Sequence, residues 1–165
     1  MKIFKPTYFV DNVTDISLQF LNDQNIKALI LDIDDTLTAH KCPLIDEDIK
    51  DWIENLKSYG IKLILVSNNF KKRVSDFARM NNMQYVYFGL KPLPSGFFKA
   101  LKILNIKKNE AVIVGDQIFT DIIGANIAGF RSILVEPRSE SKTLFLKIKR
   151  YIEKPIKALL KKSDI

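Results

Sequence analysis

The sequence predicts an α/β fold built on a doubly wound parallel sheet. Three observations carry that expectation. Short Val/Ile/Leu runs alternate with segments of helical periodicity. The runs are continuously apolar, as strands buried on both faces are. The chain has 165 residues, 47% of them hydrophobic, which suits one domain over 1–165. A chain of that length needs neither disulfides nor metal to fold. Right-handed crossovers between parallel strands then place helices on both faces.

The elements follow in order. Ala28–Ile33 is the first predicted strand. Asp46–Ser58 is a helix with Ile49, Trp52, Ile53 and Leu56 on one face, and Gly60 stops it. Lys62–Val66 is the second strand, and a helix runs over about 71–80. Gln84–Phe88 is the third strand, and Ser95–Leu104 a helix with Ser95 as its N-cap. Ala111–Val114, a helix over Ile118–Ala128 and the strand Ser132–Val135 complete the alternation. Trp52, Phe97 and Phe98 are expected in the core. Tyr8, Phe9 and Val10 either pack under the sheet or touch lipid, and both readings stay open.

The remaining chain, about 141–162, reads as a basic amphipathic helix. Phe145, Ile148, Ile152, Ile156 and Leu159 share one face, and most lysines lie elsewhere, as in an interfacial helix. Pro155 predicts a kink or two short helices. The net charge of +7 is concentrated here: residues 138–165 hold nine Lys/Arg against three Asp/Glu, and residues 1–137 seventeen against sixteen. Nucleic-acid binders usually carry their basic surface on the folded body, so no nucleic acid is expected as a partner. A basic tail suits an anionic membrane surface. No apolar run approaches the ~20 residues of a membrane span. The start lacks the apolar core and cleavage site of a secretory signal. A lone cysteine, Cys42, predicts no internal disulfide. The expected location is cytoplasmic, peripheral at the inner face of the membrane.

Ligands of such sheets bind beyond the strand C-termini, near the switch point. Asp32-Ile33-Asp34-Asp35-Thr36 follows the first strand, and Ser67-Asn68-Asn69 the second. Gly89-Leu90-Lys91 follows the third, and Gly115-Asp116 with Asp121 the fourth. Clustered carboxylates repel, by ~4 kcal/mol for two charges 4 Å apart at an effective dielectric of 20. Several together call for a cation, and oxygen ligands beside a phosphate suit Mg²⁺. Ser67 and the amides opening the next helix make an anion site. A nucleophilic acid, a second acid, a metal and an anion cradle describe phosphoryl transfer. His40 reads as a surface residue ahead of a catalyst, and Cys42 as inert.

Asp32-x-Asp34-x-Thr36, Ser67, Lys91 and Gly115-Asp116-x4-Asp121 resemble, in order, the four motifs of the haloacid dehalogenase superfamily. The resemblance spans residues 28–135. It implies the Rossmann-like doubly wound sheet, with the first and fourth predicted strands adjacent. It implies Asp32 as the nucleophile that becomes an aspartyl-phosphate, and Asp34 as the general acid and then base. It implies Mg²⁺ held by the Asp32 carboxylate, the Asp34 main-chain carbonyl and Asp116. Asp121 would orient Lys91 or a metal-bound water. Thr36, Ser67 and Asn68 would hold phosphoryl oxygens. An acid at position 34 favours phosphatases over dehalogenases and pumps.

From Asp32 to Ser67 is 35 residues and from Ser67 to Lys91 is 24, too few in either gap for a cap domain. An open site suits a substrate presented on something large: a lipid headgroup, a protein or a nucleic-acid end. The capless arrangement, Ser67-Asn68-Asn69, the Gly115-Asp116-Gln117-x-x-Thr120-Asp121 motif and Pro6-Thr7-Tyr8 resemble the YqeG type of subfamily IIIA, related to phosphatidylglycerophosphate phosphatases. That resemblance implies a phospholipid phosphate as substrate. A phosphatase of phosphoproteins or nucleic-acid ends is the competing reading. A non-catalytic scaffold would have lost the nucleophile or acid, and both are present.

Overall fold

A computed structural model describes residues 2–40, 42–139, 153, 155–158 and 160. Six strands among them form one sheet: β1 (Tyr8–Val10), β2 (Ala28–Leu31), β3 (Lys62–Val66), β4 (Gln84–Val86), β5 (Ala111–Gly115) and β6 (Arg131–Val135). Their order is β1-β6-β5-β2-β3-β4, and every neighbouring pair is parallel. The winding reverses between β2 and β5, where Leu31 is in register with Val114. The residues following both strands therefore open onto the same edge.

Alternate residues of the central strands feed two separate cores. Leu29, Leu31, Leu63 and Leu65 pack with α2 (Glu47–Ser58) and α3 (Lys71–Met80). Ala28, Ile30, Ile64 and Val66 pack with α4 (Ser95–Leu104) and α5 (Ile123–Ala128). This is why the strands read as unbroken apolar runs. Each fully buried Leu or Ile contributes roughly 1.5–3 kcal/mol. The face read for the first long helix is the buried one: Ile49, Trp52, Ile53 and Leu56. Gly60 follows that helix with φ 81°, a left-handed turn that glycine adopts at little cost.

Several expectations are corrected. Tyr8–Val10 is an edge strand in register with Ile133–Val135, and Phe9 and Val10 are buried. A further helix, α1 (Leu18–Asp23), begins at Ser17, whose side chain accepts from Phe20 N at 3.1 Å. Ser95 is the first residue of α4, so Pro94 holds the cap position. Residues Ile118–Ile122 wind as a π-helical segment before α5. Phe97 is buried, but Phe98 is 47% exposed because it falls on the outer side of α4.

Between Asp34 and Ser67 the described residues hold a loop, α2 and β3; between Ser67 and Lys91 they hold α3 and β4. Among the described residues, neither connection contains a cap. Among the described residues, no helix is long and apolar enough to cross a membrane. The amphipathic segment expected over 141–162, with its break at Pro155, lies mostly outside the described residues. Of its apolar face Ile156 is described, and it packs with Leu160 against Phe9, Ile118, Ile122 and Leu134.

Candidate active site

Four strand ends deliver the expected side chains to one place. Asp32 continues the β2 ladder, its N–H donating to Val114 O at 2.9 Å. Asp116 follows Gly115 at the end of the neighbouring strand. Asp121 returns to the same point from the π-helical segment. One oxygen from each of Asp32, Asp116 and Asp121 lies within 4.8 Å of the others. Lys91 Nζ donates to Asp32 Oδ1 at 2.5 Å and to Asp121 Oδ1 at 2.7 Å. Thr36 Oγ1 donates to Asp116 Oδ1 at 3.4 Å. A Cβ on Gly115 would collide with the Asp121 carboxylate, so only glycine lets that acid close on β5.

Lys91 is held by its backbone as well as its charge. The Asn68 side chain accepts from Lys91 N at 2.8 Å and donates to Lys91 O at 2.9 Å. Asn68 thus ties the second motif to the third. Ser67 Oγ accepts from Asn69 N at 3.2 Å, which leaves its own O–H to donate.

The electrostatics are those of a site short of positive charge. Burial pushes the Asp32 carboxyl up to about 7; Lys91 pulls it down, while Asp121 and Asp34 add repulsion. Burial alone would lower the Lys91 ammonium, but Asp121 and Asp32 outweigh it and hold it above the ordinary lysine range. One ammonium faces three buried carboxylates. The donors are all oxygens, and their charge exceeds what Lys91 balances. A hard divalent cation such as Mg²⁺ fits that donor set.

Asp34 lies apart from this trio by its carboxylate, whereas the metal contribution expected of it was its main-chain carbonyl. Its Oδ2 accepts from Asn69 Nδ2 at 2.5 Å and its Oδ1 from Arg73 Nη2 at 3.1 Å. Arg73 also donates to Cys42 O at 2.8 Å. Sequence reasoning missed both partners of Asp34. A signal existed for one: Lys71, Lys72 and Arg73 open α3, where the helix dipole disfavours cations. Asp35, also unassigned, is buried with φ 66° and accepts from Ser139 Oγ. His40 Nδ1 lies 3.8 Å from Asp35 Oδ2, so His40 belongs to this loop clasp and not to the carboxylate cluster.

A doubly wound parallel sheet that gathers acids, a lysine and a hydroxyl at its switch point defines a hydrolase working by phosphoryl transfer. Comparison with known proteins narrows the class. The family described as haloacid dehalogenase-like hydrolases matches residues 9–135. The chain is 34% identical over 161 residues to "Probable phosphatase YqeG" of Bacillus subtilis, covering 98% of this chain and 94% of that protein. It is 28% identical over 167 residues to phosphatidylglycerophosphate phosphatase 1, chloroplastic/mitochondrial, of Arabidopsis thaliana, covering 95% of this chain but 47% of the plant protein. Among solved structures, an uncharacterized protein from Listeria monocytogenes shares the fold with a TM-score of 0.57 at 22% identity, over 72% of this chain and 85% of that one. The cobalt-bound deoxy-D-mannose-octulosonate 8-phosphate phosphatase of Haemophilus influenzae does so with a TM-score of 0.52 at 14% identity, over 76% and 75%. The chain belongs to the haloacid dehalogenase-like hydrolases, and within them it is a phosphatase.

Proposed function

We propose that this phosphatase depends on Mg²⁺, works through an aspartyl-phosphate on Asp32, and removes the terminal phosphate of phosphatidylglycerophosphate to give phosphatidylglycerol. The observation that carries the chemistry is the Lys91 ammonium held between Asp32 and Asp121, with Asp116 beside them. A carboxylate so placed attacks phosphorus while its neighbours manage the charge. The bond from phosphorus to the ester oxygen breaks, and Asp34, as a carboxylic acid, gives its proton to the departing alkoxide. Asp34, now a carboxylate, takes a proton from water, which attacks the same phosphorus. The acyl phosphate bond breaks, phosphate leaves and Asp32 is regenerated. Such acid–base help is worth ~10²–10⁴-fold.

Thr36, the Ser67 hydroxyl and the Asn68 amide hold the phosphoryl oxygens, the Ser67 amide being engaged by Val86 O at 3.1 Å. Lys91 neutralises their charge. Asp32, Asp116, Asp121 and the Asp34 carbonyl are the groups that would hold Mg²⁺, which when bound offsets the negative charge of carboxylates and phosphate together. The lipid substrate is supported by the uncapped site and by the activity named for the Arabidopsis relative. We place the enzyme on the cytoplasmic side, peripheral to an anionic membrane.

Turnover of dispersed phosphatidylglycerophosphate, a phosphopeptide and a 3′-phosphorylated oligonucleotide tests the substrate. The lipid is expected to lead, and preference for either other compound replaces this reading. Asp32→Asn tests the nucleophile. Phosphate release should vanish while the circular dichroism spectrum stays unchanged. More than about a tenth of wild-type turnover would remove Asp32 from that role.

A further inference from the structure

The loops leaving β3 and β4 at the catalytic edge carry Phe70, Phe88 and Leu90, which are 73%, 47% and 55% exposed. Phe70 follows Ser67-Asn68-Asn69, and Leu90 precedes Lys91. The Phe70 and Phe88 rings meet edge to face at 5.3 Å. Phe88 N donates to Asn69 O at 3.2 Å, so the two loops present one surface.

Local chemistry disfavours each of these residues where it stands. Phe88 and Leu90 have φ of 46° and 55°, a region that side chains bearing a Cβ rarely adopt and that asparagine or glycine tolerates. Phe70 holds the N-cap position of α3 without a side-chain cap bond, where serine or aspartate would supply one. Three large apolar groups in water, each at odds with its backbone, point to a contact made outside the isolated chain.

The charge around them selects the partner. Lys71, Lys72 and Arg73 open α3. The Lys71 and Lys99 ammonium groups lie 5.8 and 5.7 Å from the centre of the Tyr87 ring, which itself meets Phe88 at 5.9 Å. Apart from Lys91 and Arg73, which are paired with carboxylates of the site, residues 67–99 hold four Lys/Arg against one Asp. A protein groove would accept the aromatic pair. A collar this one-sided in charge matches a surface whose negative charge is continuous, with apolar material just beneath it. We propose that Phe70, Phe88 and Leu90 form a docking rim that seats the open site on an anionic lipid bilayer. This rests on the lipid-phosphate reading above and adds that the catalytic edge itself engages the membrane.

The test is the full-length triple variant Phe70→Ser, Phe88→Asn, Leu90→Asn. Each change suits the local backbone better, so the thermal midpoint should equal or exceed that of wild type. Turnover of p-nitrophenyl phosphate in solution should stay within about twofold. Sedimentation with phosphatidylcholine vesicles containing phosphatidylglycerol should weaken at least about tenfold. Vesicle binding unchanged in the variant, or absent in wild type, overturns the rim. Intact vesicle binding with lost phosphopeptide turnover assigns the surface to protein and overturns it equally. Failure of wild type to hydrolyse detergent-dispersed phosphatidylglycerophosphate sinks the substrate reading alone, because vesicle sedimentation still decides the rim.

Discussion

Arg73 reaches Asp34 from the first turn of α3 and ties it to the Cys42 carbonyl, while Asn69 takes the other carboxylate oxygen. The Arg73 Nε is buried without a hydrogen-bond partner among the described residues, and its guanidinium opens a helix where a cation is disfavoured. We propose that the residue serves to aim Asp34, whose carboxylate it holds at 3.1 Å. Arg73→Ala is expected to lower kcat/KM by about 10–100-fold, and Arg73→Lys to recover part of it. Full activity in the alanine variant, measured by steady-state phosphate release, would show that Asp34 needs no such guide. The four motif acids and Lys91 could be picked out in the sequence because each lies in the stretch of chain that follows a predicted strand. Asn69 and Arg73 could not, because their meaning depends on a fold in which β3 ends beside β2. Asp32 also carries a pH signature. Its carboxyl is raised from 3.8 to about 7, so the native state binds more protons than the unfolded chain between those values. The metal-free fold is therefore expected to lose stability as pH climbs through that window. A cation needs Asp32 ionised, so Mg²⁺ affinity should rise up to about tenfold per pH unit below about 7 and level off above it. Calorimetric titration at a series of pH values checks this, and a flat profile would separate Asp32 from the metal.

The π-helical segment Ile118–Ile122 shows what an element can do that its residues alone do not announce. It carries Asp121 to Lys91, and Gln117 N donates back to Asp121 Oδ2 at 3.2 Å. Its outer side is covered by the C-terminal residues. Glu153, 1% exposed, accepts from Phe119 N at 3.1 Å, and Ile156 and Leu160 pack on Ile118 and Ile122. Lys157 meets Glu136 at 3.4 Å. Helical periodicity predicted an apolar face containing Ile156. It could not say that this residue packs on the body, because a helix that docks on protein and one that lies on lipid have the same pattern. Edge strand β1 and α1 escaped for a simpler reason: with three and six residues, neither repeats its period. Glu153→Ala would leave the part-buried Phe119 N–H without this acceptor and should destabilise the protein by about 0.5–1.5 kcal/mol. Glu153→Gln keeps an acceptor oxygen and should cost less. Denaturant unfolding of the two variants checks the order. Equal stability with wild type in both would show that this contact does not hold the segment.

At the scale of the whole molecule, the switch point between β2 and β5 gathers the chemistry, and the short connections leave it open. An enclosed phosphatase can draw binding energy from every part of a small substrate and use it in the transition state. Under the proposed function such contacts are made to the phosphoryl group, and the rest of the substrate would lie outside the pocket, at the proposed rim. Glycerol 3-phosphate offers the same primary phosphate ester as the lipid headgroup without the remainder of the lipid. Its kcat/KM is therefore expected to fall at least about 100-fold below that of dispersed phosphatidylglycerophosphate, because binding energy from the missing part is lost from the transition state. Parallel steady-state assays of the two compounds measure the gap. Equal values would mean that the phosphate pocket alone selects the substrate, and the open mouth would then lose its meaning as the feature by which this fold recognises a phosphate carried on a larger body.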